Sequence, residues 1–90
     1  MEVTIEQLRA KANGTINALD TMSAKEREKI PTVSFAEDFN KFRAIAIQVK
    51  PEIEAIAPAA IQFNKSQGFN MPKATYVEIL AYWRQMIELL

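Results

Sequence analysis

Ser34-Phe35-Ala36-Glu37-Asp38-Phe39-Asn40-Lys41-Phe42-Arg43-Ala44-Ile45-Ala46-Ile47-Gln48-Val49 is the stretch on which the fold turns. Phe35, Phe39, Phe42, Ala46 and Val49 recur at steps of four, three, four and three, which return side chains to one face of an α-helix. Ile45 widens that stripe, while Asn40, Lys41, Arg43 and Gln48 lie off it. Ser34 and Glu37 match a capping box, in which side chain and backbone satisfy each other's donors at a helix start. Glu37 and Asp38 sit where the helix dipole favours anions. Lys50-Pro51 ends or sharply bends the helix, because proline disfavours helical geometry in the residue before it. A helix over 34–50 follows, with three phenylalanines on a core face.

The same two signals extend in both directions. Upstream, Ile5, Leu8, Ala12, Leu19 and Met22 keep a helical spacing, with Thr15 and Ile16 sharing the remaining step and Thr4 as N-cap. A helix over 4–22 is expected, weakened by about 1 kcal/mol at Gly14. A hairpin at Asn13-Gly14 is the rival, but the flanking residues are poor strand formers. Ser23-Ala24-Lys25-Glu26 is a further capping box and predicts a short helical turn near 24–30, cut off by Pro31. Lys25 to Lys29 reads as a solvated turn.

Downstream, Pro51 suits the first turn of a third helix over 51–67, with Glu52 and Glu54 near its positive end. Ile53, Ile56, Ala57, Ala60 and Ile61 supply its apolar face. Pro58 either kinks this helix or divides it. Gly68 is a natural stop, with Phe69 packing back on Phe63. Thr75-Tyr76-Val77-Glu78 is another capping-box match, so a last helix is expected over 73–90, starting between Pro72 and Thr75. Eleven of the fifteen residues from Tyr76 to Leu90 are apolar, a wider arc than a surface helix needs. That helix is either central or carries a second interface. The ending at Leu89-Leu90 suggests a fragment of a longer protein, or pairing with another copy.

The expected fold is therefore all-α, a single helical domain over 1–90 built as a small bundle of four main helices and a short turn. Composition agrees. The chain has 90 residues, 49% of them hydrophobic, and only two glycines, too few for a hairpin-rich β fold.

Function is bounded mainly by exclusion. Eleven basic residues balance eleven acidic ones, so no basic excess draws the chain to phosphate. Histidine and cysteine are both absent, which removes disulfides, zinc–thiolate sites, Ser-His-Asp and Cys-His catalysis. Gly14 and Gly68 cannot build a phosphate-binding loop. The pairs Glu37/Asp38 and Glu52/Glu54 are accounted for by helix starts. No catalytic, metal or cofactor-binding residue is expected, and an enzyme is not. Asn13-Gly14-Thr15 and Asn64-Lys65-Ser66 match the glycosylation pattern without a secretory signal in view. No stretch is apolar for the roughly 20 residues of a membrane span, and residence in the cytoplasm is the default.

The favoured expectation is a helical protein–protein interaction or oligomerisation module. Its candidate partner surface is Phe69, Met71, Tyr76, Tyr82, Trp83 and Met86, residue types enriched in interface cores. The opposing expectation is that these side chains fill the chain's own core. Two other classes stand behind it. A helix-turn-helix regulator would have to read DNA with Asn40, Lys41, Arg43 and Gln48. An apolar-ligand bundle would need polar groups converging on a cavity, and no small-molecule ligand is indicated.

Overall fold

The computed structural model describes residues 3–66 and 69–90. Its elements are α1 (Ile5–Asp20), α2 (Ala24–Arg27), α3 (Val33–Val49), a 3-10 turn (Pro51–Ile53), β1 (Phe63–Ser66), β2 (Phe69–Pro72) and α4 (Tyr76–Leu89). The chain is mostly helical, with one small antiparallel sheet.

α1 starts on a reciprocal cap: Gln7 N–H donates to Thr4 Oγ1 at 3.1 Å, and Thr4 N–H donates to Gln7 Oε1 at 2.9 Å. The helix runs unbroken through Gly14, so the hairpin alternative there is not realised. Its far end is closed by Arg27, whose guanidinium donates to the carbonyls of Met22 (3.0 Å) and Asp20 (2.9 Å). Arg27 therefore does more than face solvent, as the reading of Lys25 to Lys29 had it. Ser23 caps α2 through Glu26 N–H as expected.

α3 begins two residues earlier than its sequence signature suggests. Thr32, not Ser34, accepts from Phe35 N–H at 3.3 Å, and Ser34 and Glu37 lie inside the helix. Thr32 has the extended backbone a cap requires and directly follows the buried Pro31. Glu37 and Asp38 thus sit beyond the first turn, where the dipole no longer accounts for them. Asp38 instead meets Lys11 of α1 at 3.2 Å.

The expected helix over 51–67 does not form. Ile53 is buried by the short 3-10 turn, and Ile56 and Ala57 N–H groups then close a turn on the Ile53 carbonyl. Pro58 has no N–H to give and would clash with the carbonyl of Glu54 in a helix. Beyond it the chain is extended: Ile61 is buried, Gln62 exposed, Phe63 half-buried and Asn64 exposed, a period of two. Asn40 supplies what a helix would have supplied to this backbone. Its amide donates to the Ile61 carbonyl at 3.1 Å and accepts from the Ile61 N–H at 2.7 Å. Arg43 Nε donates to the Pro58 carbonyl at 2.7 Å.

β1 and β2 then pair with Phe63 opposite Pro72, Asn64 opposite Met71, Lys65 opposite Asn70 and Ser66 opposite Phe69. Lys73 N–H extends the ladder to the Gln62 carbonyl. The expected contact of Phe69 on Phe63 across a helix stop has no helix to close. Gly68, read as that stop, lies outside the described residues.

α4 is capped by Thr75 and occupies the centre of the molecule. Ile79, Leu80, Trp83, Met86 and Leu90 are buried. Val77, Glu78, Ala81, Arg84, Gln85 and Glu88 form its exposed side. Of the two expectations for its wide apolar arc, the central position accounts for it. Trp83 meets Phe42 at 4.6 Å and Phe39 at 5.5 Å between ring centroids, the second edge to face. The last carbonyls of α4 accept from Lys50 Nζ (Leu89, 2.9 Å) and from the Arg9 guanidinium (Leu90). Cations there complement the negative helix end. Among the described residues no helix is long and apolar enough to cross a membrane.

Candidate functional site

The six residues singled out in the sequence fall into separate environments. Trp83 and Met86 are 1% and 0% exposed and belong to the core. Tyr76 is half-buried and stacks edge-on against Phe35, 5.1 Å between centroids. Tyr82, also half-buried, leans on Phe39 at 5.8 Å on a different side of α4, beside the strand-like segment 59–62. Met71 is exposed on β2 opposite Asn64. Phe69 pairs with Ser66 through its backbone, and its side chain lies outside the described residues. They do not make one surface.

A surface of a different kind lies between α1 and α3. Both helices pack on α4, and a trough runs along the surface where α1 and α3 meet. Two hollows occupy the space between them. One, of about 540 Å³, is lined by Ala10, Gly14, Ala18, Met22, Phe35 and Tyr76 among others. The other, of about 340 Å³, is lined by Val3, Leu8, Phe42, Ile45 and Lys41 among others. Lys11 and Asp38 line both, and their ion pair bridges the groove midway. The lining climbs α1 from Val3 to Met22 as it descends α3 from Ile45 to Phe35, so one groove follows an antiparallel helix pair.

The residue pattern explains why this side stays open. On α1, Ala10, Gly14 and Ala18 recur every four residues and put almost no side chain into the gap. A Cβ built on Gly14 would meet nothing within 4 Å. On α3 the two flanks have different work. Asn40 and Arg43 hold the 58–61 segment, while Asp38, Lys41 and Ile45 border the groove. Ile45 was expected to widen the core stripe and is instead 37% exposed. Of the large apolar side chains that stand exposed, Val3 and Ile45 share this groove, whereas Ile30, Ile56, Met71 and Val77 line neither hollow.

The sequence carried a signal for this groove in the row of small residues on α1, but a period of four small residues looks like helix-forming filler until the neighbouring helix is placed. The electrostatics are local. Lys11 and Asp38 are each about half exposed (52% and 47%), and Arg84 pairs with Asp20 at 2.7 Å. Among the described residues no cluster of three acidic side chains is positioned to hold a metal ion. Comparison with protein-family models, with curated proteins and with solved structures returned no match.

Proposed function

We propose that this chain is a non-enzymatic helical interaction module that receives a helix of a protein partner along the α1–α3 groove. The observation that carries the reading is the groove itself: a trough along two packed helices, floored by apolar side chains and crossed midway by the half-exposed Lys11–Asp38 pair. Helix-in-groove recognition needs such a trough, with apolar anchors from the incoming helix entering it every three or four residues. The Ala10–Gly14–Ala18 row allows close approach of a second backbone. Val3, Leu8, Phe42 and Ile45 offer apolar contact at one end, and Met22, Phe35 and Tyr76 at the other.

The rival readings draw less support. Two of the four side chains needed for reading DNA, Asn40 and Arg43, are spent on the 58–61 backbone, leaving Lys41 and Gln48. The phenylalanines that might enclose an apolar ligand are packed against Trp83.

Ala18→Arg and Ile45→Glu place charge in the groove at positions that contribute little to the core. Both variants keep the wild-type helicity and melting temperature. Purified gently from its native host, the wild-type chain carries a stoichiometric protein companion in native mass spectrometry, and both variants lose it. A wild-type chain that stays monomeric and unaccompanied at every concentration contradicts the proposal.

A further inference from the structure

Asn13-Gly14 is the point in the chain where an asparagine is followed by a residue with no side chain, and both residues are exposed midway along α1. The backbone nitrogen of Gly14 is a nucleophile within reach of the Asn13 side-chain amide whenever the chain is extended. Attack forms a bond from Gly14 N to Asn13 Cγ and breaks the Cγ–Nδ2 bond. The Gly14 amide proton leaves with Nδ2 as ammonia. Water then opens the resulting succinimide at either carbonyl, leaving an aspartyl or an isoaspartyl linkage and one new carboxylate. At Asn17, Asn40, Asn64 and Asn70 the following residue carries a side chain that hinders the same attack.

In the folded chain α1 opposes this reaction. Helical geometry commits the Gly14 N–H to the Ala10 carbonyl and turns the nitrogen away from the Asn13 side chain. The helix is weak at this place for two reasons. A glycine in a helix interior costs about 1 kcal/mol relative to alanine, and nothing in the structure packs against it in compensation. One residue on, Thr15 Oγ1 donates back to the Lys11 carbonyl at 3.1 Å, a bond that loosens the helical ladder. The nearest fully buried anchors are Ala12 and Leu19.

We infer that Asn13 is a deamidation site gated by local opening of α1, with water as co-reactant and ammonia as leaving group. This inference does not depend on what occupies the α1–α3 groove. The full chain is incubated at neutral pH in buffer and in guanidinium chloride, and tandem mass spectrometry follows conversion at each asparagine. In denaturant Asn13 converts ahead of the other four. In buffer it converts about tenfold or more slowly, as expected for a reaction that waits on local opening. Gly14→Ala widens the ratio between the two conditions, because it strengthens the helix as well as hindering attack. Equal rates at Asn13 in buffer and denaturant overturn the gating. Conversion of another asparagine first in denaturant overturns the site, and an unchanged ratio in Gly14→Ala overturns the role of α1.

Discussion

The two sides of α3 are built to opposite ends. Toward α4 it presents Phe39 and Phe42, which close on Trp83 with ring centroids 5.5 and 4.6 Å apart respectively. Toward α1 it presents Phe35 beside Ala10, Gly14 and Ala18, and Lys41 and Ile45 beside Val3, Gln7 and Leu8, with Asp38 between them. The first contact excludes water and fixes the helix pair. The second leaves a trough of protein surface that the chain does not fill. The difference teaches that part of the apolar surface left outside the core, at Val3 and Ile45, borders this trough, while Ile30, Ile56, Met71 and Val77 are exposed elsewhere.

Breaking the closed side has the largest effect. Trp83→Ala removes the side chain around which α3 and α4 pack, and destabilises the fold by about 3–5 kcal/mol in denaturant titration. A smaller loss comes from Trp83→Phe, since the indole Nε1 is buried without an acceptor among the described residues and its removal relieves a cost. Next is Asn40→Ala, which leaves the Ile61 N–H and carbonyl without partners and costs about 1–3 kcal/mol. Amide exchange in this variant accelerates first in the 61–72 segment, while α1 and α4 stay protected.

That second prediction also marks where the sequence stopped being legible. The helices were readable because each combines an apolar period with a cap: Thr4, Ser23 and Thr75 are all N-caps, although the reciprocal box expected at Ser23 and Thr75 is completed only at Thr4. The cap of α3 was misplaced to Ser34 because a box motif two residues on looked better than the plain Thr32. Residues 51–67 were misread for a physical reason. Ile53, Ile56, Ala57, Ala60 and Ile61 fit a helical stripe, but Pro58 interrupts a helix there, and Asn40, twenty-one residues upstream, pairs with Ile61 in its place. The candidate surface failed to coincide with the groove because aromatic content marks both cores and interfaces, and here it marked chiefly the core.

On the open side the effects are small and one changes sign. Gly14→Ala stabilises the chain by up to about 1 kcal/mol, seen as a higher melting temperature, because the new methyl group meets open space. The same substitution weakens any helix seated against that row. Lys11→Ala costs less than about 1 kcal/mol, and the cost shrinks further in high salt, as expected for a half-exposed ion pair.

The most direct measurement of the central claim uses a photo-crosslinking residue at Ile45, inside the groove, and the same residue at Ile56, exposed but lining neither hollow. Illuminated in its native host, the Ile45 chain forms a discrete covalent adduct with one protein, and Ala18→Arg abolishes it. The Ile56 chain forms none. The same adducts from both positions, or none from Ile45, would contradict the account.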